Sequence, residues 1–226
     1  MLQRALHRSS PLLPLAVVLL QAALAQQAIT FQYLYDDIGQ LTKVVDSTGI
    51  VIEYAGDVGD MNTRALTSAA LAGVLKPMLG DINMVSAPVV AKERGIKVDE
   101  VRQTQRGAYE TYIRLTIRTG KMERSVAGTV FSDGKPRIIQ IKGIELESEF
   151  GPHMLYVTNM DKPGFIGALG MLLGNAGVNI ATFHLGRLAQ GQDAICLVQI
   201  DEPVPEAVLA AVEKLPQVKQ AKRLAF

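Results

Sequence analysis

A chain of 226 residues with 48% hydrophobic and 20% charged residues can bury a core, and its length suits two small domains better than one large one. A formal net charge of +1 argues against a nucleic-acid partner, which would need a strong basic excess gathered on one face. No apolar run approaches the ~18–20 residues of a bilayer span, so no membrane partner is expected for the mature chain. The single cysteine, Cys196, excludes a disulfide framework and a cysteine-based zinc site. It lies in the apolar run Ala194-Ile195-Cys196-Leu197-Val198 and reads as a small buried hydrophobe.

Residues 1–25 read as a secretory signal peptide. Arg4, His7 and Arg8 form a basic start, Leu12 to Leu24 an apolar stretch, and Ala23-Leu24-Ala25 a small-x-small cleavage site. Residues 26–50 follow as a hairpin. Tyr33-Leu34-Tyr35 and Val44-Val45-Asp46 alternate like strands, and Asp36 to Gly39 supplies a turn. This stretch resembles a single YD repeat of the Rhs type, a unit that would be marginal without neighbours to stack on.

Residues 51–150 predict an α+β domain. Val51 to Tyr54 alternates like a strand, and residues 63–79 read as a helix, with Leu66, Ala70, Val74 and Leu75 near helical spacing. A second helix is expected between Met84 and Arg94, starting late because of Pro88. Strands then follow at Ile96 to Val101, Tyr112 to Arg118, Ser125 to Phe131 and Arg137 to Ile141, with Ser132-Asp133-Gly134-Lys135 as a hairpin turn. Arg64, Lys76, Lys92, Arg94, Arg106, Arg114, Arg124, Lys135 and Arg137 are spread along this domain. They are either solvated faces or a cluster able to hold a small phosphate- or carboxylate-bearing ligand, and spacing does not distinguish the two.

Residues 151–226 predict a ferredoxin-like βαββαβ domain. Met154 to Thr158 is a strand, and Pro163-Gly164 opens a helix carrying Phe165, Leu169, Leu172, Leu173 and Ala176 on one face. Strands at Val178 to Arg187 and Ala194 to Ile200 flank the turn Ala189-Gln190-Gly191-Gln192. A helix after Pro205 and a strand from Val218 to Leu224 complete the unit. The first strand-to-helix turn, Asn159-Met160-Asp161-Lys162-Pro163-Gly164, sets an amide and a carboxylate beside a helix start. Free backbone N–H groups there favour a ligand carboxylate, and Asp161 can pair with an ammonium, so the chemistry suits an α-amino acid. Asn179 opens the next strand and offers a further amide. Taken by themselves, Asp161 and Asn179 fit equally well as an ordinary pre-helix turn residue and an ordinary post-glycine residue.

Asp161-Lys162-Pro163-Gly164, followed by Gly177-Val178-Asn179-Ile180, resembles the hallmark of the ACT domain, a family of amino-acid-sensing modules. Tyr54-Ala55-Gly56-Asp57, Asn62 to Thr67, Arg124 to Phe131 and Pro216-Gln217-Val218 resemble the C-terminal regulatory end of D-3-phosphoglycerate dehydrogenases, over about residues 51–226. The resemblance implies an allosteric substrate-binding domain at 51–150 and an ACT domain at 151–226. It implies ACT domains pairing side by side into a homodimer or higher oligomer, with L-serine bound at the interface as a feedback inhibitor. The ligand contacts it carries over are Asn159, Asp161, Pro163 and Gly164 from one subunit and Asn179 from its partner. Asn159 stands where other members often have His or Tyr. It also implies that the middle domain binds a phosphorylated anion through basic residues.

No Gly-x-Gly-x-x-Gly follows a strand, so no nucleotide cofactor, no metal and no catalytic residue are expected, and the chain by itself should be inert as a dehydrogenase. His184 alternates with Ile180 and Thr182 and reads as a packed or interface residue. Three readings follow, in order: an amino-acid-sensing regulatory module, the regulatory part of a split phosphoglycerate dehydrogenase, and an exported YD-repeat interaction protein. The leader predicts export, whereas the resemblance of residues 51–226 predicts the cytoplasm. That conflict points to a fusion or a chimera, which amplification of the locus as one continuous fragment would test.

Overall fold

The computed structural model describes residues 31–35, 41–46, 49–104, 108–120 and 122–226, with side chains from residue 49 onward. The leader read at 1–25, the turn read at 36–39 and Arg106 lie outside these residues. The strands expected on either side of that turn are present. β1 (Phe31–Tyr35) and β2 (Leu41–Asp46) pair antiparallel, with Tyr33 opposite Val44.

β3 (Gly49–Gly56) starts a six-stranded sheet, and a short 3-10 turn (Asp57–Asp60) leads to α1 (Arg64–Leu75) and α2 (Ala87–Glu93). β4 (Val98–Gln103), β5 (Thr111–Thr119), β6 (Met122–Val130), β7 (Pro136–Ile141) and β8 (Ile144–Glu149) follow in the order β4-β3-β5-β6-β7-β8. β3 and β4 are parallel because both helices lie in the crossover between them, while the other neighbours pair antiparallel. Ile50, Ile52 and Tyr54 alternate onto one face and form a core with Leu71, Leu75, Ala87 and Ala91 of the helices. The Tyr54 hydroxyl, 2.7 Å from Thr67 Oγ1, is satisfied within that core.

Prolines set two helix limits, the end of α1, which falls short of expectation, and the late start of α2, which was expected. α1 stops at Leu75 and not at residue 79: Lys76 keeps helical backbone (φ −52°, ψ −42°) and donates to Ala72 O, but Pro77 has no N–H with which to continue the helical ladder. α2 starts at Ala87, which places Pro88 in its first turn, where a missing N–H costs no helical bond. β8 was not expected. Its turn, Lys142-Gly143, has both residues at positive φ (52° and 77°), as a tight two-residue hairpin demands.

β9 (His153–Met160), α3 (Phe165–Asn175), β10 (Ile180–Arg187), β11 (Asp193–Ile200), α4 (Glu206–Glu213) and β12 (Val218–Ala225) give the expected βαββαβ order. Their sheet runs β10-β11-β9-β12. Leu155, Val157, Cys196, Val198 and Ile200 face the helices and pack with Phe165, Leu169, Leu173 and Val212. Met154 and Leu197 join Ile138 and Leu146 of the first sheet in a second cluster. The inner strand β11 is therefore covered on both faces, which accounts for its unbroken apolar run. Cys196 is fully buried, and burial pushes its thiol up to about 12, the inert state of a packed cysteine.

The two sheets meet where β8 lies across β10 and β11. Gly186 of β10 is buried there, and a Cβ added to it would overlap the carbonyl oxygen of Glu145. Lys142 Nζ stands 5.5 Å from the Tyr156 ring centroid across the same junction.

Candidate functional site

The turn between β9 and α3 takes its shape from local sequence. Gly164 has φ +92°, a left-handed conformation that glycine adopts without steric cost, and it sets the chain into α3. Phe165, 2% exposed, anchors the first helical turn in the core. No side chain caps α3, and the N–H groups of Ile166 and Gly167 meet no acceptor among the described residues. Pro163 and Gly164 are exposed at the rim. The positive end of the helix is thus open to an anionic group.

Asp161 already has partners. Its Oδ2 accepts from Arg187 Nη1 at 2.8 Å and from the Gly191 N–H at 3.1 Å. The Gly191 N–H and the Arg187 guanidinium hold the Asp161 carboxyl below the usual carboxylate range. Asp161 N–H donates in turn to Gln192 O at 2.7 Å, so the β10–β11 hairpin turn is tied to the strand-to-helix turn. Gly191 itself has φ +76°. Asn159 is 1% exposed; its Nδ2 donates to Met160 O at 2.9 Å, while its buried Oδ1 finds no donor.

Asp161, Pro163 and Gly164 therefore share one turn, and Asn159 lies just ahead of it in β9. Asn179 does not join them within the chain. It donates from Nδ2 to Asp201 Oδ2 at 2.7 Å, and it precedes β10 at the end of the sheet opposite the Arg187 end. Eight strand residues separate the two ends by roughly 23–27 Å. Arg187 was not singled out from sequence, since an arginine 26 residues from its partner leaves no periodic signal; the hairpin between β10 and β11 is what brings it back.

A cavity of about 480 Å³ lies on the sheet face opposite α1 and α2. Of the basic residues picked out in the middle domain, Arg114 and Arg124 are the only described ones that line this cavity, and Arg118 and Lys142 join them there. Arg114 donates to Glu53 at 3.1 Å and Arg118 to Glu123 at 2.7 Å. Nε of Arg114 is buried without an acceptor, and Arg124 and Lys142 have no carboxylate partner among the described residues. The same Arg124 and Lys142 line a second cavity, about 730 Å³, with Lys219 and Lys222 of β12. Lys135 and Arg137 lie elsewhere, paired with Glu149 and, for Arg137, with Asp133. Arg64, Lys76, Lys92 and Arg94 are exposed on or beside the helices.

Comparison with known families matches residues 30–142 to the D-3-phosphoglycerate dehydrogenase intervening domain and residues 153–217 to the ACT domain. The first match begins ahead of β1 and so includes the hairpin that sequence set apart as a Rhs-type repeat. A D-3-phosphoglycerate dehydrogenase of Methanocaldococcus jannaschii is 32% identical over 74% of this chain and 32% of its own length. That of Bacillus subtilis is 29% identical over 76% of the chain and 33% of its own length. That of Synechocystis is 34% identical over 74% and 30%. The chain spans about a third of the length of these relatives, and the two matched domains are their regulatory part.

Proposed function

Since this chain belongs to the family of the D-3-phosphoglycerate dehydrogenase intervening domain and carries an ACT domain behind it, we propose that it senses an amino acid, L-serine, at the turn after β9. The observation that carries this reading is the open, uncapped start of α3 beside the Asp161 carboxylate. Backbone N–H groups and the helix dipole favour the carboxylate of an α-amino acid, and Asp161 favours its ammonium. In this reading the module transmits effector occupancy to phosphoglycerate-oxidising catalytic domains, whether joined to it or supplied by a separate chain.

The effector site is completed by a second copy of the chain. β10 is the edge of its sheet, with one side unpaired among the described residues. Two copies related by a two-fold axis perpendicular to that edge run their β10 strands antiparallel. The partner subunit's Asn179 then comes to the end of β10 where Arg187 and Asp161 stand. In this arrangement the five expected contacts gather in one place.

Calorimetric titration of L-serine into the full chain tests the proposal, with glycine and D-serine as controls. Saturable binding of L-serine is expected, weakened at least 100-fold in Asp161→Ala. A folded wild-type protein giving no heat at millimolar serine would remove the serine assignment.

A second reading has its own observation, the convergence of Arg124 and Lys142 without carboxylate partners between the two sheets. We propose that this cleft takes a phosphorylated anion such as 3-phosphoglycerate. Arg124→Ala combined with Lys142→Ala is expected to weaken its binding at least tenfold while leaving serine binding intact. Equal binding to both proteins would exclude the cleft.

A further inference from the structure

The Asp161–Arg187 pair has a charge layout that Asp161 alone does not have. Both contacts to Asp161 fall on Oδ2, so Oδ1 accepts from no donor among the described residues. Arg187 uses Nη1 for that bond, and its remaining N–H groups donate to nothing among them. Asp161 is mostly shielded, with 20% of its side chain exposed, whereas the guanidinium is 55% exposed at the same turn. An acceptor and a donor edge therefore stand side by side, facing outward from one ion pair. The uncapped start of α3 adds N–H groups to the donor side.

An α-amino acid has the complementary layout, an ammonium and a carboxylate on adjacent positions of one carbon. We infer that Arg187 is a specificity-determining residue of the effector site: its outer N–H edge binds the effector's α-carboxylate while Asp161 Oδ1 takes the ammonium. The inference rests on the amino-acid reading above and sharpens it. The site selects for a free α-carboxylate, so amino-acid amides, esters and residues within a peptide chain are rejected. Arginine suits this task better than lysine because its planar fork can hold one carboxylate with one edge while a second edge engages another. A neutral substitute at Arg187 would remove the attraction for the carboxylate and leave the ammonium contact in place.

The test compares L-serine with L-serinamide, which keeps the ammonium and hydroxyl but replaces the carboxylate by a neutral amide. Both are titrated into the full chain as wild type, Arg187→Gln and Arg187→Lys. The wild type is expected to prefer serine at least tenfold. In Arg187→Gln that ratio should fall toward one, through weaker serine binding with serinamide little changed, and Arg187→Lys should restore part of it. A purely structural role for Arg187 in holding the hairpin turn would weaken both compounds alike and keep the ratio, which overturns the inference. So does serine binding in Arg187→Gln with wild-type discrimination. No heat from the wild type with either compound overturns the amino-acid reading itself, and this inference with it.

Discussion

Phe165→Ala is expected to cost about 3–5 kcal/mol and to lower the unfolding midpoint of the C-terminal domain by on the order of 10 °C or more. Phe165 is 2% exposed at the head of α3, and it packs in the cluster that holds Leu169, Leu173, Val157 and Cys196. Removing its ring leaves a cavity that rigid strands on one side cannot collapse into. Its position adds a functional consequence. The same residue fixes the helix start whose free N–H groups are offered to the effector, so serine affinity should fall together with stability. Leu169→Ala, one turn further along the same buried face, is the control: a stability loss of about 2–5 kcal/mol with little change in serine affinity at temperatures where the domain is folded. Circular-dichroism melts paired with serine titrations at low temperature check both, and equal affinity in all three proteins would separate the helix start from the site.

Gly186→Ala should act on the junction and spare the site. A Cβ at Gly186 would overlap Glu145 O and stand 2.9 Å from Ile144 Cγ2, and a backbone carbonyl in a strand cannot swing aside as a side chain can. Relief requires β8 to lift from β10, opening the cluster of Ile138, Leu146, Met154 and Leu197. Overpacking of this kind costs about 1–3 kcal/mol. The expected result is two resolved calorimetric transitions where the wild type shows closer coupling, with faster proteolysis near residues 150–153. Serine binding should persist, because Asp161 and the start of α3 are held by contacts within the C-terminal domain. A single unshifted transition in Gly186→Ala would contradict the close approach of the two sheets.

Much of the fold was legible because hydrophobic period and turn chemistry agreed. Phe165, Leu169 and Leu173 repeat at helical spacing and are the buried residues of α3. Gly177 ends that helix at φ +72°. β8 is legible too: Ile144, Leu146 and Ser148 are buried in strict alternation with Glu145 and Glu147, which are exposed, behind a Lys-Gly turn. What sequence could not supply was convergence. Arg187 reaches Asp161 only because β10 and β11 fold back on each other. Lys142 reaches Arg124 only because β6 and β7 pair, with Ser125 O accepting the Lys142 N–H. Neither pair has a spacing that a local period would reveal. The candidate turn is legible through its carboxylate and glycine, whereas the bond from Arg187 to Asp161 is not. Asp161 is half engaged, and the half left over is what gives the site its orientation.

Hydrogen exchange of the full chain with and without saturating L-serine is the most direct measurement of where the effector sits. The account predicts slower exchange at the amides of residues 159–167 and 187–192, joined by 179–181 as the second copy docks, and no change across 114–126. Unaltered exchange in the first two segments under conditions where serine binds, or protection confined to the basic cleft, would contradict it.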